Sequence, residues 1–231
     1  MRSKTVSFRS RRDVHLWKIN TQRLVPSLAT FATWLSDAER TRINRLLHPA
    51  RKITAVCSRG ILRYILACYL DQSPAAVKIE ELPGGKPYLP NTEFEFNLSH
   101  SENYLFCAVG LETPLGIDIQ QIYPISGLEK ISRSHFQPGQ VKRILNLKGQ
   151  KQLESFFQHW VNLEAYLKAE GTGFRIQADS QAPEIHTAQG NNSVHSRYHT
   201  RELRAPEGHK AALVTLGDKP QEILSRNVLY P

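Results

Sequence analysis

Apolar and polar positions change period several times along the chain, and each change marks an element. Val14 to Ile19 (VHLWKI) alternates as a strand does, its side chains reaching opposite faces in turn. Ser36 followed by Glu39 is a capping-box pair that opens a helix through SDAERTRINRLL. Pro49 opens the next helix, in which Ile53, Val56, Cys57, Gly60, Ile61, Tyr64, Ile65 and Cys68 recur at helical spacing, with Arg59 and Arg63 beside the stripe. After DQSPAA come short strand patterns, VKIEEL, GGKPYL, EFEFNL, NYLFCAVG and PLGIDIQQI, with Ser99, His100 and Ser101 in a turn between two of them. Pro138 and Gly139 break the chain before a helix expected from Lys151 to Glu170, which the GTG of residues 171–173 ends. Beyond it QGNNS reads as a turn and HKAALVTLG as the last clear strand.

Two of these features repeat. The helices RGILRYILACYL and HWVNLEAYLKAE lie in comparable positions of the two halves, and each half closes on a strand of similar type, YLFCAVG and AALVTLG. The pattern predicts an α+β fold made by duplicating one unit, divided into a tail at 1–12, a first subdomain at 13–111 and a second at 112–231.

Composition limits the setting. The chain has 231 residues and 40% hydrophobic content, enough for a core without staples. Cys57, Cys68 and Cys107 sit in apolar runs without C-x-x-C spacing, which predicts buried thiols in a reducing cytosol rather than disulfides or a zinc site. The run from Ile61 to Leu70 is broken by Arg63 and is too short to span a bilayer, so no membrane partner is expected. MRSKTVSFRSRR is basic and lacks an apolar stretch, which predicts a disordered tail. A net charge of +9 favours polyanions. A nucleic-acid-binding module is one reading of that charge, but no aromatic-rich basic stripe or known binding motif accompanies it.

Candidate chemistry lies in four segments. In PLGIDIQQI, strand alternation puts Gly116, Asp118 and Gln120 on one face, and a carboxylate beside an amide oxygen suits magnesium; a solvated strand face has the same pattern. His100 could be a phosphate donor, a base or an incidental turn residue. GGKPY offers open backbone amides and Lys86, or an ordinary loop. On the late helix Phe156, Trp160, Leu163 and Leu167 form the apolar stripe, with Glu164 and Lys168 on an adjacent line, where the plain reading is an exposed i,i+4 ion pair.

Taken in order, GGKPYL, FNLSHSE, LGIDIQ and WVNLEAYLKAEGTG resemble the successive motifs of the 4′-phosphopantetheinyl transferases, the Sfp-type branch and its cyanobacterial members above all. The resemblance runs from Val14 to the final strand. It implies a pseudo-symmetric monomer with coenzyme A between two similar subdomains. It also implies transfer of the 4′-phosphopantetheine arm to a serine of an acyl, peptidyl or aryl carrier protein, with magnesium or manganese as cofactor. By the same resemblance Asp118 and Glu164 hold the metal, joined by Gln120, and Glu164 also serves as base. Lys168 meets a phosphate, Ser99 and His100 meet coenzyme A phosphates, and Lys86 and Pro87 lie near its adenine. Arg42, Arg51, Lys52, Arg59 and Arg63 are candidates for its 3′-phosphate. The sequence departs from the family at Gln120, usually an acid, at Leu163, usually lysine, and at Thr54, often arginine. Gln120 leaves open a weakened member that binds coenzyme A or a carrier without transferring the arm.

Overall fold

Strand β1 (Val14–Asn20) lies inside a sheet, and the computed structural model, which describes residues 6–171, 198–217 and 219–226, builds the rest of the first half around it. The expected QGNNS turn and the last two residues of GTG lie outside the described residues. A 3-10 turn (Thr21–Ser27), α1 (Leu28–Trp34) and α2 (Asp37–Asn44) lead into α3 (Pro49–Leu70). The capping box is present: Ser36 Oγ accepts from Glu39 N at 3.3 Å, and the Glu39 carboxylate accepts from Ser36 N at 2.9 Å. A small hairpin, β2 (Glu80–Glu81) and β3 (Pro87–Tyr88), precedes a long one, β4 (Phe94–Ser101) and β5 (Tyr104–Leu111). The sheet order is β4-β5-β1, with β1 and β5 antiparallel.

The second half repeats this plan. Strand β6 (Leu115–Gln121) is followed by α4 (Leu128–His135), α5 (Pro138–Leu145) and α6 (Gly149–Glu170), then β7 (Tyr198–Glu202) and β8 (His209–Leu216). Its sheet order is β6-β8-β7, so in each half a strand, a 22-residue helix and an antiparallel hairpin follow one another, and the first strand pairs with the last. The α+β duplication is therefore real at the level of topology. One element breaks it: β9 (Ile223–Arg226) crosses back and pairs parallel with β1, so the end of the chain joins the sheet of the first half.

Several expectations change. Ser99, His100 and Ser101 belong to β4, not to a turn; His100 pairs with Leu105, and the chain reverses at Glu102, whose φ is 50°. Pro138 starts α5 rather than merely breaking the chain, because a helix's first turn needs no proline N–H. VKIEEL contributes only Glu80 and Glu81 to a strand. Helix α3 has the length and apolarity of a membrane span, but its buried face packs on the first sheet as core, and Arg63 on it is 3% exposed. Arg63 binds Glu39 at 2.8 Å and the carbonyls of Pro74 and Val77, so it is committed to structure and drops out as a phosphate ligand.

Residues 6–12 are not a loose tail. Val6 N donates to Cys68 O at 2.9 Å, Phe8 stacks on His15 with ring centroids 4.1 Å apart, and Arg11 pairs with Glu93 and Glu112. Apolar Val6 and Phe8 bury against α3 and β4, which outweighs the basic composition around them. His15 is fully buried; Arg226, which can only donate, lies 2.9 Å from Nε2, so the neutral ring carries its proton on Nδ1, facing the Tyr69 hydroxyl at 2.9 Å. Burial, reinforced by the Arg226 charge and opposed by Asp13, lowers the His15 pKa to about 4.

Candidate active site

Strand β6 is short, β-branched and hydrogen-bonded to β8 along one edge. Its other edge is met by side chains. From alternate positions of β4, Asn97 Oδ1, Ser99 Oγ and Ser101 Oγ accept from the backbone N–H groups of Ile117, Ile119 and Gln121 at 3.0, 3.3 and 2.9 Å. Each step of two on β4 is matched by a step of two on β6, so this ladder fixes the register between the two halves. It also satisfies donors that are buried and would otherwise be orphaned.

Alternation along β6 sends Ile117 and Ile119 into a core with Val14, Leu16 and Phe106, and sends Gly116, Asp118 and Gln120 toward α6. A side chain at Gly116 would overlap the backbone of Ala165, Lys168 and Ala169, so glycine below and the two alanines above let helix and strand touch. That close approach brings the neighbouring line of α6, Glu164 and Lys168, over Asp118. The alternative of a solvated strand face does not hold at Asp118, which is 5% exposed.

A buried carboxylate needs partners, and Asp118 has them. Its Oδ1 accepts from Lys168 Nζ at 2.6 Å and from Ser99 Oγ at 2.7 Å. Lys168 also donates to Ile117 O at 3.2 Å and reaches Ser99 Oγ at 3.1 Å. Lys168 thus pairs across to Asp118, where helical spacing alone suggested a surface pair with Glu164. Glu164 is half-buried, and burial first, then the Asp118 charge, push its pKa up to about 7 against the pull of Lys168. Leu163 is buried in the apolar cluster under α6, as its place on the stripe predicts. Gln120 sits beside Asp118 on the same face, and across the strand pair it faces Lys210.

His100 lies next to Ser99 on β4 but on the opposite face of the strand. Its pKa is lowered by desolvation and by Lys168, and raised in part by Asp118. Lys86 points elsewhere than expected: its ammonium donates to Leu115 O at 3.3 Å and Ala169 O at 3.0 Å, capping the end of α6. At Gly84 any side chain would strike Gly171 O, so the GGK tip of the β2–β3 hairpin packs against the helix terminus. At the base of that hairpin Glu81 holds Arg42 through two bonds of 2.6 and 2.8 Å, with Arg59 3.7 Å away. Pro87 pairs with Glu81 in the hairpin. Arg51 and Lys52 occupy the first turn of α3. The structure therefore brings Ser99, Asp118, Glu164 and Lys168 together, flanks them with His100 and Gln120, and sets Arg42 and Arg59 across the hairpin.

The sequence alone did not show the roles of Asn97 and Ser101 in the ladder or of Gly116, Ala165 and Ala169 in the close contact. The glycine inside a β-branched strand and the alanines four apart are the signals that could have found the close contact.

Asp118, buried and paired with Lys168, and half-buried Glu164 offer a hard-oxygen set that a divalent cation would suit, with phosphate and water completing its shell. Asp118 and Glu164, with the Gln120 amide, fit a magnesium ion on that ground. Among the described residues no group of three His, Cys, Asp or Glu is placed to hold a metal ion.

The cluster thus joins an acidic pair from a strand and a helix with a lysine and a strand serine, between two repeated α+β units. Residues 114–215 match the 4′-phosphopantetheinyl transferase superfamily, and residues 22–111 match the 4′-phosphopantetheinyl transferase N-terminal family. The 4′-phosphopantetheinyl transferase HetI of a Nostoc species is 38% identical over 165 residues, which is 70% of each chain. A 4′-phosphopantetheinyl transferase of Bacillus subtilis is 25% identical over 189 residues, 81% of this chain and 79% of its own. The mouse L-aminoadipate-semialdehyde dehydrogenase-phosphopantetheinyl transferase is 27% identical over 176 residues, 70% of this chain and 57% of its own. The chain belongs to the 4′-phosphopantetheinyl transferase superfamily and is a transferase of that family.

Proposed function

We propose that this enzyme transfers 4′-phosphopantetheine from coenzyme A to a serine of an acyl or peptidyl carrier protein, leaving adenosine 3′,5′-bisphosphate. The observation that carries this reading is the Asp118, Lys168 and Ser99 cluster beneath Glu164. Asp118 and Glu164, with Gln120, would hold magnesium, or manganese in its place, and the ion would neutralise charge on the pyrophosphate. Glu164, its pKa near 7, is matched to take the serine proton, directly or through water. Lys168 exchanges Asp118 for phosphate oxygen and offsets charge on the leaving group. Ser99 orients the Asp118 carboxylate and would reach coenzyme A phosphate only from within the cluster, while exposed His100 would meet phosphate at the rim. Arg42, Arg59, Arg51 and Lys52 supply positive charge for the 3′-phosphate, while Lys86 acts on the site through the end of α6. The working form is a cytoplasmic monomer.

Mass spectrometry of an apo carrier protein incubated with this enzyme, coenzyme A and magnesium tests the reading. A gain of one phosphopantetheine group is expected, and Asp118→Ala or Glu164→Ala should abolish it with the fold retained. No gain on several unrelated carriers, with magnesium or manganese, overturns it. Binding of coenzyme A without transfer would instead favour the weakened member that Gln120 suggests.

A further inference from the structure

A second cleft lies on the other side of β6 from Asp118. Ser99, Phe106 and Lys18 are neighbours in one row across β4, β5 and β1, and Phe106 packs against Ile117 and Ile119, the residues that face away from Asp118. Beyond Phe106 opens a cavity of about 740 Å³, within the range of small-ligand sites. Lys18, Arg23 and Arg204 line it, Tyr104, Phe106 and Leu24 contribute its apolar walls, and no Asp or Glu is among its lining residues.

Charge in this cleft is uncompensated. Lys18 Nζ sits 5.3 Å over the Phe106 ring and donates to Arg204 O at 2.6 Å, bringing ammonium and guanidinium-bearing residue side by side. Desolvation and the Arg204 charge both lower the Lys18 pKa. Neither Arg23 nor Arg204 has a carboxylate partner among the described residues, whereas Arg11, Arg40, Arg42, Arg63 and Arg133 all have one. Lys18 and Arg204 repel one another, Arg23 lines the same cleft, and a multivalent oxyanion would relieve that cost. Two arginine forks match phosphate oxygens in pairs, and Tyr104, braced edge-on by His209 at 5.2 Å, offers a ring face for stacking.

We propose that this cleft is a second anion site, separate from the transferase site, that takes a small phosphate ester carrying a planar ring, a nucleotide. Calorimetric titration of the full chain, saturated with coenzyme A and magnesium, with ATP as probe and with inorganic pyrophosphate in parallel, tests it. One further site is expected, at least about tenfold tighter for ATP than for pyrophosphate because the ring adds stacking. The Arg23→Glu/Arg204→Glu variant should lose at least about tenfold in ATP affinity while keeping its circular dichroism and its phosphopantetheine transfer rate. Tyr104→Ala should bring ATP down to the pyrophosphate value. Lys168→Met should leave this second binding unchanged, even if coenzyme A proves not to be the donor, so the two readings fail separately. Equal affinity for both probes, no second site, or loss of it in Lys168→Met rather than in the arginine variant overturns the proposal. A raised KM for carrier protein in the arginine variant with ATP affinity unchanged does so as well, by assigning the cleft to an acidic protein surface.

Discussion

Lys168 Nζ lies 2.6 Å from Asp118 Oδ1, although the two residues come from different elements and are separated by fifty positions. The ion pair is largely sheltered, so breaking it from either side is costly: one charge is left buried without a partner. Lys168→Met is expected to destabilise the protein by about 3 kcal/mol, and Asp118→Asn by less, because the amide still accepts from Ser99. Urea unfolding at neutral pH checks both. Equal stability of wild type and Lys168→Met would mean that the pair is structurally idle.

Gly116→Ala should be worse than an ordinary glycine replacement. The added methyl meets backbone rather than a movable side chain, so α6 must lift from β6, at about 1–3 kcal/mol. Lifting the helix also moves Glu164 and Lys168, so carrier loading should fall far more than stability does. Calorimetry beside a loading assay separates the two effects.

Asn97→Ala leaves the Ile117 N–H buried without an acceptor, an expected loss of about 1–3 kcal/mol. Ser101→Ala, nearer the surface, should cost less. If both variants unfold with wild-type midpoints, the side-chain ladder does not hold the two halves in register.

The stability of the metal-free enzyme should depend on Glu164. Its folded pKa of about 7 exceeds its ordinary value of 4.5, so across that interval the folded protein keeps a proton that the unfolded chain releases. Stability contributed by the neutral carboxyl is present below 4.5 and is lost as pH rises toward 7. Glu164→Gln should flatten this slope in urea titrations with chelator, and magnesium should reverse it in wild type alone.

His15 acts in the opposite sense. Its folded pKa of about 4 lies below 6.5, so the unfolded chain takes up a proton that the folded one refuses, and stability is lost as pH falls from 6.5 toward 4. Phe8→Ala removes the stacked ring that covers His15, and a loss of about 2 kcal/mol is expected. Thermal unfolding of that variant at pH 7 and pH 5 checks the contribution of residues 6–12.

The local pattern determined much of this. Periodicity placed α3 and α6, the capping box of α2, and strands β1, β5, β6 and β8, because each element must turn one apolar face to a core whatever that core is. The ordered motifs pointed to Asp118, Glu164, Lys168, Ser99 and His100 before their positions in space were known. Helices α4 and α5 and strand β9 were not legible, being short elements whose burial depends on distant partners. Lys86 shows a different limit: a lysine in a glycine loop reads as a phosphate ligand, and only the approach of α6 supplies the carbonyls that hold it. Tertiary structure alone decided that Lys168 pairs with Asp118, that Asn97 and Ser101 join the halves, and that Lys18, Arg23 and Arg204 meet in one cleft. Those relations depend on distances between segments far apart in the chain, and a missing side chain at Gly116 sets the separation of strand and helix on which the site depends.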